Sequence, residues 1–166
     1  MKLLLPGSPL WLPKEGELDQ WPVVVVDTET RNLPASEARE VIKRFAADFA
    51  GITPSLVFKK IDSALRGPIG PEIAQVMESF GFSRAVVAPA FPAQHRTTIG
   101  GYQLINGVPV HLTPSALDAR APVRESHIPS LVEESLGQPA GVISVKQVES
   151  GTMALLEAVQ GVFESR

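Results

Sequence analysis

Residues 23–26 are four consecutive valines, and this run constrains the fold more than any other stretch of the 166-residue chain. Two heavy atoms on each Cβ stiffen χ1 and favour extended backbone over helix. The run does not alternate with polar residues, so both faces of the strand read as covered, as in a parallel sheet between helices. Apolar runs recur at 56–61, 84–90 and 141–145, with a shorter one at 3–5. Between them lie segments whose apolar residues fall three and four apart. One covers 35–50 after Pro34, with Ala38, Val41, Ile42, Phe45, Ala46 and Phe49 on one face and Gly51 as its stop. Others cover 69–80 (closed by Gly81), 128–136 and 151–163. Asn106-Gly107, between apolar residues 102–105 and 108–112, predicts a β-hairpin, with Pro109 confining its second strand to an edge. Alternating strands and helices predict an α/β protein: a three-layer α/β/α sandwich with a mainly parallel, Rossmann-like sheet plus one β-hairpin. The length suits one domain over residues 1–166. Pro9, Pro13, Gly16 and Pro22 mark 8–22 as a loop, with Trp11 and Trp21 read as core or cover.

In such a sheet, ligands bind where strands end and helices begin. The segment F-K-K-I-D-S-A-L-R-G, 58–67, occupies such a position and holds Lys59, Lys60 and Arg66 within eight residues. Asp62 and Ser63 stand between these cations, so the loop offers charge to a carboxylate and polar oxygens to hydroxyls. The strand of valines ends in Asp27-Thr28-Glu29-Thr30-Arg31, and 84–90 runs into Gln94, His95, Arg96, Thr97 and Thr98. Charged residues after a strand are more often a solvated loop with local caps, and that reading stands beside the ligand reading. Asp118, Arg124, Glu125, Ser126 and His127 are read as surface loop rather than site wall. His95, His111 and His127 lack metal-ligand spacing, so no metal site is expected.

A net charge of −3 and a sequence pI near 5.6 disfavour nucleic acid and anionic membrane as partners. Absence of cysteine removes disulfide and thiolate chemistry and suits a reducing cytoplasm. Met1-Lys2 and three leucines before Pro6 are too short a stretch for a signal peptide or a membrane span.

K-K-I-D-S-A-L-R-G resembles the K-K-I-D-S-T-L-R-G motif of the four-carbon acid sugar kinase family, whose members phosphorylate compounds such as threonate and erythronate with ATP. Three more segments are similar to family motifs, in the same order: D-T-E-T-R at 27–31, A-P-A-F-P-A-Q-H-R-T-T-I-G-G at 88–101, and P-V-R-E-S-H-I-P at 122–129. The similarity runs from about Val23 onward. It implies that Arg31 contacts substrate, and that Lys59, Lys60, Ile61, Asp62, Ser63 and Arg66 bind a sugar acid. Asp27, Gln94, Arg96, Thr97 and Thr98 become candidate site walls, and no residue is assigned a catalytic role. His95 departs from the resemblance, since the family usually has glycine there, and a side chain demands a narrower site or a strained backbone.

The family's acidic D-D-x-T-G-A motif and its second, ATP-binding domain have no counterpart here, nor does the pattern G-x-x-x-x-G-K followed by Ser or Thr. The chain alone is therefore not expected to be a kinase. The leading expectation is half of a split ATP-dependent sugar kinase, with ATP and Mg on a separate nucleotide-binding chain. The alternative is a non-catalytic remnant or a sugar-acid-binding module. A homo-oligomer fits either.

Overall fold

Stripes with a period near 3.6 fold as helices in the positions their spacing dictates. The computed structural model describes residues 2–4, 22–49 and 54–165. Within them β1 (Lys2–Leu4) runs parallel to β2 (Val24–Val26), Lys2 opposite Val24 and Leu4 opposite Val26. Helix α1 (Ala35–Asp48) buries Ala38 and Ile42, and α2 (Ile69–Phe80) buries Ile69 and Ile73. Gly81 caps α2 in the left-handed region at φ +70°. Strands β3 (Arg96–Ile99), β4 (Tyr102–Ile105) and β5 (Val108–Pro109) form an antiparallel sheet in that order. Asn106 and Gly107 make the tight turn between β4 and β5, both at positive φ. Helices α3 (Ile128–Leu136), α4 (Val145–Glu149) and α5 (Thr152–Glu164) complete the order.

The core lies under the 58–67 loop. Ala64 and Leu65 of that loop join Ile69 and Ile73 of α2, Val110, Val123, and Ile128 and Val132 of α3 in one buried cluster. α2 packs against both α1 and α3, and Phe49 meets Phe80 at a ring-centroid distance of 6.4 Å beside the Arg39–Glu78 ion pair.

The α/β class holds, while the sheet departs from expectation. Among the described residues, parallel pairing is confined to β1 and β2. Val23 and Val25 are exposed, so the valine run is not covered on both faces. Segments 56–61, 84–90 and 141–144 carry no helix, strand or bridge among the described residues. Leu56, Phe58 and Val86 are 79%, 84% and 70% exposed, which overturns the reading of these segments as buried strands. An apolar run sets local backbone and a wish for burial, whereas a ladder needs a partner brought about 4.8 Å away by the rest of the chain. Residues 96–99, read as loop, form β3, and the second hairpin strand stops at Pro109, where a 3₁₀ turn begins. Residues 145–149 are a helix, not the end of a strand, because Ser144 and Gln147 form a reciprocal capping box. Trp11, Trp21 and Gly51 lie outside the described residues.

The approach of α2 to α3 is set by Gly70. A Cβ there would overlap the Leu131 carbonyl oxygen and crowd the Ser135 hydroxyl, and backbone cannot yield as a side-chain tip can. Gly70→Ala is therefore expected to destabilise the protein by about 1–3 kcal/mol through overpacking. Urea unfolding measures this; a variant as stable as the parent would show that the helices separate freely.

Candidate functional site

Ala64 and Leu65, 3% and 4% exposed, pin the middle of the 58–67 loop into the core and leave its polar residues on the rim. Leu65 does so at φ +57°, and its N–H donates to the Asp62 carbonyl at 2.9 Å, closing a tight turn. Across that turn Asp62 Oδ2 accepts from Arg66 Nε at 2.6 Å and from the Arg66 backbone N–H at 3.3 Å. Arg66 also lies 3.5 Å from the carboxylate of Asp118, whose other oxygen accepts from the Arg120 and Ala121 N–H groups. Burial opposes ionisation of Asp62, but hydrogen bonds from Arg66 and its positive charge prevail and hold the carboxyl below its usual range. Asp118 is likewise held low, first by the two backbone N–H groups and then by Arg66.

At the start of the loop, Lys59 Nζ pairs with Glu72 Oε2 on α2 at 2.6 Å and donates to the Lys60 carbonyl at 3.0 Å. Glu72 is buried, and its Oε1 has no hydrogen-bond partner among the described residues. At the centre, Ser63 Oγ accepts from Arg96 Nη1 at 2.7 Å, leaving the hydroxyl hydrogen available to donate. The Ser63 backbone carbonyl accepts from Gln103 Nε2 at 2.8 Å, and the Gln103 side-chain Oε1 accepts from the Thr98 hydroxyl at 2.6 Å. At the far end, Gly67 (φ +92°) lies so close to Arg31 that a Cβ would sit 2.8 Å from the Arg31 carbonyl oxygen. No residue other than glycine fits there without moving the Arg31 loop.

Segments 27–31, 58–67, 96–103 and 118 are thus interlocked around the middle one. Segments 27–31, 58–67 and 91–95 each carry a non-glycine residue in the left-handed region: Glu29 at φ +50°, Leu65 at +57° and His95 at +54°. Such backbone costs on the order of 1–3 kcal/mol per residue and collects at functional sites. His95 bears the strain that a side chain at that position demands, and its imidazole is exposed.

The site residues divide by what they touch. Arg31 and Lys60 are exposed and form no side-chain hydrogen bond or ion pair with described residues, so their charges face outward. Lys59, Asp62, Ser63, Arg66 and Arg96 are engaged with one another or with Glu72, Gln103 and Asp118. Ile61 packs against the core. Asp27 accepts from the Glu29 N–H, a local cap; Gln94 is exposed, and Thr97 of β3 pairs with Leu104 of β4, and none of the three makes a side-chain hydrogen bond or ion pair with the described 58–67 loop. Residues 124–127, read as surface loop, are partly internal: Ser126 is fully buried, and its Oγ accepts from the His111 backbone N–H at 2.9 Å and meets His111 Nδ1 at 2.7 Å. Glu125 accepts the N–H groups of Ser126 and His127 at 2.7 Å each, which ties this segment to the start of α3. Among the described residues no His, Asp and Glu group is arranged to hold a metal, and no helix is long and apolar enough to cross a membrane. A groove of about 290 Å³ along α1, lined by Leu33, Glu37, Val41 and Arg44 among others, shares no residue with the loop cluster.

Glu72, Gln103 and Asp118 carry weight that sequence reasoning missed. Glu72 falls within the apolar stripe of α2, beside Ile73 and three residues after Ile69, where a charge is out of pattern. Gln103 is 0% exposed between the accessible Tyr102 and Leu104, an alternation that marks it as inward-facing. Asp118 has no such mark in sequence.

Asp62 depends on Arg66, and its lowered pKa gives the sign. The stabilisation is present above about pH 4 and is lost as pH falls through the folded-state value. Asp62→Asn is expected to lower stability at neutral pH by about 1–3 kcal/mol and to flatten the acid limb of a stability profile measured by urea unfolding between about pH 2.5 and 7. An unchanged acid limb would remove Asp62 from the clamp.

Residues 10–166 match the family model described as a sugar-binding N-terminal domain. The chain is 34% identical over 158 residues to the D-erythronate kinase of Heliobacterium modesticaldum, covering 95% of this chain and 35% of that protein. It is 36% identical over 135 residues to the D-threonate kinase of Salmonella typhimurium, covering 81% and 32%. A crystal structure of a DUF1537 protein from Bordetella bronchiseptica, a domain-swapped dimer with bound citrate, superposes with a TM-score of 0.67 at 35% identity, covering 78% of this chain and 33% of that one. The chain spans about a third of the length of these relatives.

Proposed function

The chain belongs to the sugar-binding N-terminal domain family, and from that premise we propose that it is the substrate-binding part of a threonate- or erythronate-type four-carbon acid sugar kinase. The observation that carries this reading is the interlocking of segment 27–31 and the β3–β4 hairpin with the 58–67 loop, which leaves Arg31 and Lys60 exposed and without an ion-pair partner among the described residues. Arg31 and Lys60 take the carboxylate, Arg31 through a planar fork that matches it and Lys60 as a point charge. Ser63 donates its free hydroxyl hydrogen to the ligand. Asp62 retains acceptor positions beyond its Arg66 bonds and orients ligand hydroxyls. Lys59, Ile61 and Arg66 build the floor and walls from below, with Arg96 and Thr98 behind Ser63.

The likeness to named erythronate and threonate kinases supports a hydroxylated carboxylate as ligand. Citrate bound to the Bordetella protein is a carboxylate of the same kind. Phosphoryl transfer rests on positioning and neutralising the nucleotide, and we place ATP and Mg on a nucleotide-binding part outside these 166 residues, with this chain as the sugar-acid half of a cytoplasmic enzyme. The exposed apolar side chains of Leu56, Phe58 and Val86, on segments that pair with no strand among the described residues, support a surface that another polypeptide covers. Self-association is a further part of the proposal, supported by the domain-swapped dimer of the Bordetella relative.

Calorimetric titration tests the site. Erythronate or threonate is expected to bind, and Arg31→Ala and Lys60→Ala each to weaken binding about tenfold or more. Equal heats from all three proteins would refute the site. In a coupled assay the chain alone is expected to show no ATP turnover; robust turnover without an added protein would refute the split arrangement.

A further inference from the structure

We propose that Glu72 is a positioning residue of the anion site, acting through Lys59 to hold Lys60 in place. A carboxylate only 5% exposed is unfavourable in an apolar helix face unless a cation answers it. Lys59 Nζ, 2.6 Å away, is that cation, and because Oε1 has no partner among the described residues, the hold of Glu72 is on Lys59 alone. A second N–H of the same ammonium is given to the Lys60 carbonyl at 3.0 Å. One charged group thus joins α2 to the backbone of the residue whose side chain is exposed to the ligand. The Lys60 carbonyl cannot turn without breaking that bond, and the peptide plane fixes where Lys60 and Ile61 go next. Asp62 and Arg66 fasten the other side of the same turn. The charge of Lys59 is matched by Glu72, so an incoming carboxylate meets Lys60 and Arg31, and Lys59 serves it indirectly.

This inference takes its ligand from the proposed sugar-acid site, and two experiments keep the two readings separable. The first uses erythronate titrations at several salt concentrations. Positioning predicts that Glu72→Gln weakens binding about tenfold while leaving its salt dependence as in the parent. Lys60→Ala, which removes a contacting charge, should reduce that salt dependence. If Lys59 instead touched the ligand with Glu72 as mere counter-charge, Glu72→Gln would free a cation and tighten binding, and that result overturns the inference. Lys59→Met with Glu72→Leu, which keeps the packing, should bind no better than Glu72→Gln. The second experiment needs no ligand. Amide hydrogen exchange in 59–66 should rise about tenfold in Glu72→Gln while amides of α1 keep their protection. Unchanged exchange in 59–66 overturns the inference whether or not erythronate binds, and a uniform rise across the chain overturns it in favour of general destabilisation.

Discussion

The turn that buries Ala64 and Leu65 while presenting Lys60 and Ser63 is the constraint on which the other contacts depend. It asks a leucine to take φ +57°, which costs on the order of 1–3 kcal/mol. Full burial of a leucine side chain contributes a similar amount, about 1.5–3 kcal/mol. The two nearly offset, so the turn does not hold itself. Fastenings on either side tip the balance: Asp62 to Arg66 across the turn, Lys59 to Glu72 beneath it, and the Ser63 carbonyl to Gln103 from β4. Gly67 then lets the Arg31 loop come against the same turn. Each fastening offsets part of the Leu65 strain, and removing one leaves that part to the others.

Charges in this region fall into two sets with different physics. Lys59, Arg66 and Arg96 sit partly buried against acceptors, where an unpaired charge would be costly. Their contribution is geometric. Arg31 and Lys60 remain hydrated and give up little to hold their places, so their charge is available to a partner from solution. A sequence shows five cations near three strand ends and cannot sort them, because sorting depends on which carboxylate each meets: Asp62 four residues away, Asp118 fifty-two residues away, and Glu72 one helix turn inside α2.

What could be read in advance follows the same line between local and distant causes. The helices 35–48, 69–80, 128–136 and 152–164 were legible because period and caps are local, as was the Asn106-Gly107 turn. The 58–67 loop was legible from charge density and flanking glycines. The strand partners were not, since Leu56, Phe58 and Val86 carry the composition of buried strands on backbone that no neighbour pairs among the described residues. Ser144 and Gln147 did announce a helix start three residues apart, but an apolar reading of 141–145 overrode them. Gln103 and Glu72 broke an apolar pattern, and such breaks mark where burial has been accepted for the sake of a specific hydrogen bond or ion pair.

Local charge also reconciles an acidic chain with an anionic ligand. Asp62, Glu72 and Asp118 answer Lys59 and Arg66 in the interlocked loops, while Arg31 and Lys60 form no ion pair with a described carboxylate, within a chain of net −3. At physiological ionic strength the Debye length is about 8 Å, so a small anion beside either exposed cation feels the nearby charges and little of the remaining surface. A long polyanion would extend past the cluster and meet the acidic remainder. The placement of charge, rather than its total, therefore separates the small acid proposed as ligand from a nucleic acid.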